Sequence, residues 1–277
     1  MATKFYLPSS GTAPVSPAYN ENWEDTSVAQ RLQCYTANSG TTTTQVSFTD
    51  TDNTAKDILV RQYVSQPLAA QTIDSQTVTY QNLYGERASG NNLFSSLCVY
   101  IVNNTGTATV AAIVPLTRDA AEFDASLTVL ENRSLAVTSA LATCSAGDRI
   151  VIEIGAGGDP ANTGGADHDF DLRLGDPLAL LDLGTNDTDL EDKAPWVQFA
   201  NTLSFRNVDY KYVYKNDTGF QMRIYSNDNA STISRSVVIA TITSTYSETP
   251  VTENGLATML NRECNNYGKP IDKQSNI

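Results

Sequence analysis

Three aspartates at alternate positions are the residues whose spacing first suggests chemistry. Asp167, Asp169 and Asp171 occur in the segment ADHDFDL, and alternate carboxylates on an irregular loop can converge on one calcium ion. An EF-hand loop would need Gly at its sixth position and Glu at its twelfth, where this chain has Leu172 and Leu178. The sequence therefore excludes that loop type. A solvated acidic loop is favoured, with a calcium site of another geometry as the alternative.

His168 is the only histidine, so a serine or cysteine nucleophile would have to use it as general base. It lies in a segment rich in Gly and Asp, where a side chain is poorly held for proton transfer. Aspartates and glutamates are numerous enough for a glycosidase pair, but no two are distinguished by position. We therefore expect no catalytic, cofactor-binding or metal-binding residues, no cofactor, and a protein that is not an enzyme.

Three further segments have compositions associated with ligand sites. The segment GAGGDPANTGG (155–165) lacks the glycine pattern of a phosphate loop and is expected to be a β-sandwich loop. Trp23 and Trp196 could stack on sugars, but Trp196 begins an alternating strand after Pro195, which favours packing. The third segment is a second acidic cluster, formed by Asp187, Asp189, Glu191 and Asp192.

The composition favours an acidic β-rich protein over one that binds nucleic acid or a membrane. Only 18% of the 277 residues are charged, and the formal net charge is −13. Contacts to phosphate backbones need Lys and Arg, so direct nucleic-acid binding is not expected. No stretch reaches the roughly 18 apolar residues of a membrane-spanning helix, and MATKFYLPSS lacks the apolar region of a secretory signal. We expect synthesis in a cytoplasm without an export signal.

The four cysteines are too widely spaced for a zinc site, because no CxxC pair is present. We expect four free thiols, and Cys98 in the apolar run LCVYIV is expected to be a small core residue. The four positions are Cys34, Cys98, Cys144 and Cys264.

Alternating apolar and polar residues predict an all-β fold. GDRIVIEIG places Ile150, Ile152 and Ile154 on one face of a strand. The run 97–102 is apolar on both faces, which is typical of a central strand covered twice. Repeated strands with Gly, Asp and Asn turns indicate a jelly-roll-like antiparallel β-sandwich over residues 24–205.

The two ends of the chain have a different character. Residues 1–23 contain several prolines and are predicted to be an extended N-terminal arm, whose Phe5, Tyr6, Leu7 and Tyr19 would dock on a partner surface. Residues 206–277 are predicted to be an assembly element, with a β-hairpin over 208–225, a third strand over 236–246 and a short helix over 249–264.

Four segments together carry a resemblance to a known group of proteins. The opening MATKFYLPSSGTAPVSPAYNENWE, followed in order by GDRIVIEIG, LRLGD and PWVQFANTLSF, resembles β-rich proteins of tailed bacteriophages. The resemblance covers roughly residues 1–205. Members of this group are often uncharacterised or are taken to be components of the virion.

The resemblance implies a structural protein of a bacteriophage virion, namely a head decoration or a neck or tail accessory protein. Its implied partners are other virion proteins, such as capsid, neck or tail proteins, and further copies of itself in a homo-oligomer. The alternative is a carbohydrate-binding or glycan-degrading module of a receptor-binding tail or fibre, because a β-sandwich supports both functions equally well.

Overall fold

The structure, a computed structural model, describes residues 2–49, 54–87, 92–123, 129–158, 168–178, 181–188 and 192–206, and the backbone of three strands between 208 and 241. The chain divides into two compact units, Met1–Arg206 and Asn207–Ile277. In chain order the strands are β1 (Thr3–Tyr6), β2 (Gln30–Gln33), β3 (Thr44–Phe48), β4 (Lys56–Val64), β5 (Gln71–Ile73), β6 (Thr77–Glu86), β7 (Leu93–Val102), β8 (Thr109–Arg118), β9 (Glu131–Thr138), β10 (Ala142–Cys144), β11 (Arg149–Gly158), β12 (Phe170–Leu174), β13 (Trp196–Phe199), β14 (Val208–Asn216), β15 (Gly219–Ser226) and β16 (Asn229–Thr241).

None of the described residues lies in a helix, so the all-β class predicted from the alternation is confirmed. The helix predicted over 249–264 lies outside the described residues. Within the same described part of the chain, no helix has the length and apolar character needed to cross a membrane.

The larger unit is a sandwich-like arrangement of two main sheets. The first sheet has the order β1-β13-β6-β12-β3, with β9 also paired to β6. β13 and β12 pair with consecutive parts of β6, at residues 78–81 and 84–86, while β9 pairs along residues 77–84. The second sheet has the order β2-β4-β11-β7-β8, and β5 and β10 form a separate two-stranded pair.

The second sheet is mixed, whereas the sequence led us to expect an antiparallel sandwich. β2 pairs parallel with β4, so that Gln30 lies opposite Arg61 and Gln33 lies opposite Val64. The chain leaves β2, forms β3 in the first sheet and then returns as β4. A connection that crosses over in this way brings a strand back in the same direction, which a hairpin cannot do.

The large core lies between the two sheets. Ile150, Ile152 and Ile154 of β11 are fully buried in it, as their alternation predicts. Aromatic side chains fill the space between the strands, and the rings of Tyr84 and Phe123 stack with centroids 4.7 Å apart. Interdigitated side chains of this kind stabilise a sandwich through the apolar area that they bury.

The opposite face of the second sheet is also apolar and also covered. Cys98 and Tyr100 of β7, together with Val151 of β11, belong to a second buried cluster on this outer face. Residues from the N-terminal part of the chain, including Trp23 and Val15, pack against them. β7 is therefore covered on both faces, which confirms the interpretation of its continuous apolar sequence.

The N-terminal arm docks on the protein's own sandwich. β1 pairs with β13, with Thr3 opposite Phe199, and both Phe5 and Leu7 have no exposed surface in the large core. The expectation that these anchors need a partner surface is therefore wrong for Phe5 and Leu7. The prolines suggested an extended arm over residues 1–23, but all of them come after β1, where the chain leaves the sheet.

Candidate functional site

The two described aspartates of the alternating series, Asp169 and Asp171, serve as acceptors in and beside β12 of the first sheet. Asp171 lies within β12, where its Oδ2 accepts a hydrogen bond from Gln45 Nε2 at 2.8 Å and its Oδ1 lies 3.6 Å from Arg87 Nε. The Asp169 carbonyl accepts a hydrogen bond from the Arg87 N–H at 3.0 Å. Asp167 lies outside the described residues. Among the residues that the structure describes, no three His, Cys, Asp or Glu side chains are grouped to hold a metal.

His168 is packed in the interior, with only 1% of its surface exposed. A Cβ atom added to Gly158 would lie 2.8 Å from its Nε2, so the imidazole lies close against β11. Gly155–Gly158, expected to open a loop, instead form the end of that strand. The imidazole therefore packs against a strand rather than standing in a solvated loop.

The described members of the second acidic cluster form ion pairs. Asp187 accepts hydrogen bonds from Lys193 Nζ at 2.7 Å and from the Gly184 N–H at 2.5 Å. Burial acts to raise the pKa of Asp187, but these hydrogen bonds outweigh it and the pKa lies below its ordinary value. Asp192 pairs with Arg173. The remaining two members, outside the described residues, are Asp189 and Glu191.

Both tryptophans are structural, so neither provides an exposed platform for a sugar. Trp196 is 8% exposed and donates from Nε1 to the Leu183 carbonyl at 3.0 Å, while Lys4 Nζ lies 4.2 Å from its ring centroid. Trp23 is 5% exposed and donates from Nε1 to Glu153 Oε2 at 2.7 Å. A glycan-binding surface, if there is one, would therefore not use either tryptophan for stacking.

The described cysteines are free, as expected. Cys34, Cys98 and Cys144 are all buried and form no disulfide. Burial raises the pKa of the Cys34 and Cys98 thiols far above the ordinary range. Burial therefore favours the neutral thiol form of Cys34 and Cys98, in agreement with a packing role.

Asp176 is a buried carboxylate that fixes a distant loop. It has no exposed surface, and it accepts hydrogen bonds from the Ser39 N–H at 2.7 Å, the Thr41 N–H at 3.2 Å and both hydroxyl groups. These donors satisfy the carboxylate without a cation among its hydrogen-bond partners. The Asp176 carboxylate thus connects, through hydrogen bonds, the segment after β12 and the segment before β3.

Arg61 is a buried cation with few partners. It is 6% exposed, and its Nη1 donates to the Val60 carbonyl at 2.8 Å. Its Nε has no hydrogen-bond partner, and no ion pair joins it to a described carboxylate. Burial lowers the pKa of this guanidinium from its ordinary value.

Glu153 is the centre of a polar cluster that joins β4, β7 and β11 to the N-terminal part of the chain. It has no exposed surface, and it lies on the outer face of β11 among apolar neighbours. Its Oε1 lies 2.8 Å from Tyr100 Oη and 2.9 Å from Gln62 Nε2. Its Oε2 accepts hydrogen bonds from Trp23 Nε1 at 2.7 Å and from the Asn20 N–H at 3.2 Å. Burial raises the pKa of Glu153 above its ordinary value, although the four hydrogen bonds act in the opposite direction.

The segment held by this cluster is the strap, which we define as residues 8–23. It contains no strand, and side-chain hydrogen bonds attach it to the second sheet. Tyr100 Oη lies 2.8 Å from the Ala18 carbonyl, and Arg31 Nε donates to the Pro17 carbonyl at 3.1 Å. The Arg31 guanidinium also lies 3.9 Å from the Tyr19 ring centroid. The strap therefore covers an apolar sheet face without taking part in its backbone ladder.

The sequence did not predict the cluster around Glu153. Its signal was weak but present, because Gln62, Tyr100 and Glu153 each interrupt an otherwise apolar strand. A polar residue in a strand that is buried on both faces needs hydrogen-bond partners. The sequence shows that partners are needed, but it does not show that residues 18–23 supply them.

The comparisons with known proteins show limited likeness. No protein-family model matches the chain, and a search of curated proteins finds no significant match. Two crystal structures of a CocE/NonD family hydrolase from Staphylococcus aureus are similar over 72% and 73% of this chain, each at 7% identity and a TM-score of 0.41. The chain spans only 37% and 36% of the length of those proteins.

Viral capsid structures are also among the similar proteins. The structure of the Gt strain of infectious bursal disease virus is similar over 70% of this chain and 40% of the other, with 12% identity and a TM-score of 0.22. A VP2 subviral particle of the same virus is similar over 72% and 46%, with 12% identity and a TM-score of 0.16.

The comparison with the hydrolases corrects one expectation. Because hydrolases stand first among the similar structures, the prediction that the chain is not an enzyme is contradicted and is withdrawn. A TM-score of 0.41 at 7% identity carries no argument for a reaction in this chain.

Proposed function

We propose that this chain is a structural component of a bacteriophage virion and acts through protein–protein assembly. It would occupy the head surface, the neck or the tail, in contact with other virion proteins and with further copies of itself. The resemblance of residues 1–205 to β-rich phage proteins supports this proposal. The net charge of −13 also supports it, because an acidic coat keeps a protein soluble until it assembles.

The register of the smaller unit is the observation that carries the proposal. β14, β15 and β16 form a three-stranded sheet in that order, and opposite positions of an antiparallel pair share a face. The alternating apolar positions of β14 and β15 therefore fall on one face of the sheet. The paired positions are Tyr210–Ile224, Tyr212–Met222 and Tyr214–Phe220.

An apolar sheet face must be covered for the sheet to be stable. A unit of about 70 residues rarely obtains more than ~3–5 kcal/mol from its own core. In this proposal a neighbouring subunit or another virion protein covers this face. Aromatic residues such as tyrosine are enriched at protein interfaces, in agreement with this composition.

The proposal is tested by comparing the full chain with a protein that ends at Arg206. We expect the shorter protein to stay folded and monomeric, while the full chain forms homo-oligomers in light scattering and enters particles. Within the full chain, Tyr212→Asp should abolish assembly, whereas Lys211→Asp, on the opposite face by register, should preserve it.

Two results would contradict the proposal. In the first, the protein ending at Arg206 unfolds, which would make the smaller unit part of the core. In the second, mass spectrometry of purified particles finds none of this chain.

A further inference from the structure

The strap is held to the sheet by a row of three oxygen atoms at hydrogen-bond distance. The Ala18 carbonyl lies 2.8 Å from Tyr100 Oη, and Tyr100 Oη lies 2.8 Å from Glu153 Oε1. This is the ordinary O–H···O distance, at which a proton between the two oxygen atoms makes the contact favourable. The row therefore needs two protons.

Tyr100 supplies only one of these protons, because a phenol carries a single O–H. A carbonyl oxygen has none to give. If Tyr100 donates to Glu153, its contact with Ala18 lacks a proton, and if it donates to Ala18, its contact with Glu153 lacks one. A neutral Glu153 carries the second proton, and then each contact is a hydrogen bond.

The other donors are compatible with a neutral Glu153. Trp23 Nε1 donates to Oε2, which acts as the carbonyl oxygen of a carboxylic acid, and the Asn20 N–H is shared, 3.2 Å from each of the two carboxyl oxygens. Gln62 Nε2 carries two hydrogens and lies 2.9 Å from Glu153 Oε1 and 3.0 Å from Tyr100 Oη. No proton is then missing from the cluster.

We propose that Glu153 is protonated in the folded protein at low pH and that loss of this proton releases the strap from the outer face of the second sheet. Deprotonation leaves two oxygen atoms facing each other at the Ala18 contact, and it places a negative charge at a site without exposed surface. The strap is the element that can move, because it contributes no strand to the sheet. Release uncovers apolar residues such as Val151 and Leu59.

The charged and titratable groups around Glu153 come from several elements. Arg31 of β2 donates from Nε to Gln62 Oε1 at 2.9 Å and so contacts the amide that donates to Glu153. Burial raises the pKa values of the β7 groups Tyr100 and Cys98, and Glu153 raises them further, so both stay protonated at neutral pH. The acidic side chains on and beside the strap are Glu21 and Glu24.

The direction of the pH effect follows from the raised pKa of Glu153. A group whose folded-state pKa exceeds its unfolded value contributes stability fully below the unfolded value, and this contribution is lost as the pH rises through the folded value. The strap is therefore held more tightly in acid and less tightly in alkali. This inference concerns the isolated chain and does not depend on a role in a virion.

The test is amide hydrogen exchange of residues 8–23 in the full chain across a range of pH, corrected for the intrinsic exchange rate. We expect protection of the strap to fall by up to about tenfold per pH unit between the pKa of Glu153 in the released strap and its higher pKa in the folded protein, and to level off above the latter, since the two states differ by one proton only in that window. Glu153→Gln keeps a donor toward Tyr100 and an acceptor toward Trp23 but cannot titrate, so its strap protection should not change with pH. Glu21→Gln, at an exposed position, is the matched control and should behave like the unaltered protein.

Equal pH profiles for the unaltered protein and Glu153→Gln would overturn the proposal, as would protection that rises with pH. If Glu153→Gln does not fold, infrared spectroscopy of the unaltered protein decides the question. The carboxylic-acid C=O band of a buried glutamic acid should disappear with the same midpoint as strap protection. Absence of that band at acidic pH, or a different midpoint, would refute the assignment.

Discussion

Asp176 fixes two distant segments because one buried carboxylate satisfies several donors at once. Ser39 and Thr41 direct both backbone N–H groups and both hydroxyl groups toward it. Asp176→Ala removes the shared acceptor of these donors, and a hydrogen bond to a charged group contributes about 1.5–3 kcal/mol. We expect the free energy of unfolding to fall by at least about 2 kcal/mol.

Chemical denaturation monitored by circular dichroism measures this loss. Asp74→Ala, at an exposed position, is the control and should change stability by less than about 0.5 kcal/mol. Equal stability of the two variants would show that the Asp176 hydrogen bonds contribute nothing net.

Arg61 leads to the opposite expectation. Its guanidinium is buried and forms no ion pair with a described carboxylate. The free-energy cost of removing the charge from water is therefore not offset by the attraction of an ion pair. We expect Arg61→Met to raise the free energy of unfolding by about 1–3 kcal/mol. Arg118→Met, which removes the 2.8 Å ion pair with Asp57, should not be stabilising. A loss of stability in Arg61→Met would mean that the guanidinium has a stabilising role that its contacts do not show.

At the scale of the strand, the bulge between β4 and β11 depends on one glycine. The register shifts between Ile154 and Gly155, and a Cβ atom at Gly155 would lie 1.9 Å from the Ile58 carbonyl oxygen. Backbone cannot give way as a flexible side chain can, so Gly155→Ala should destabilise the larger unit by about 3 kcal/mol or more.

Gly184 provides the matched control for this substitution. A Cβ atom there would meet Asp187 Oδ2 at 3.2 Å, and that side chain can adjust. Thermal unfolding should therefore place Gly184→Ala close to the unaltered protein and Gly155→Ala far below it. Similar midpoints for the two variants would contradict the steric explanation.

β1 is predicted to be essential to the core. Phe5 packs edge-to-face against Phe199 and Phe205, with centroids 5.9 and 6.0 Å apart. We expect Phe5→Ala to lower the free energy of unfolding by about 3–5 kcal/mol, the usual cost of removing a buried ring. Leu141→Ala, at a position 63% exposed, is the control for denaturation experiments and should have little effect. A small loss of unfolding free energy in Phe5→Ala would mean that β1 is not essential to the core.

Sequence patterns predicted the strands whose apolar residues alternate within one segment. The alternation of β11 and the continuous apolar run of β7 give the correct faces, because each depends only on local residues. The parallel pairing of β2, the place of β1 and the strap contacts of Glu153 depend on partners far away in the chain. Single-segment patterns contain no information about such partners.

The same limit applies to the candidate site. The sequence drew attention to Asp171 and His168, which the structure places in ion pairing and in packing. In the sequence, Glu153 stands out only as one polar position of the alternating segment GDRIVIEIG. Its cluster became recognisable once burial and the row of oxygen atoms were known, because a buried acid without a cation must be explained by its hydrogen bonds.

At the scale of the whole molecule, the larger unit is closed by strands from its two ends. Thr3 pairs with Phe199 and Tyr6 with Trp196, so β1 has no place in the sheet before β13 has been made. A ribosome that adds roughly 5–20 residues per second needs about 10–40 s to synthesise this length of chain. For that time Phe5 and Leu7 remain outside their core, so β1 pairs only after β13 has been synthesised. Pulse proteolysis of nascent chains should find β1 cleavable until β13 has left the exit tunnel, and resistant soon afterwards.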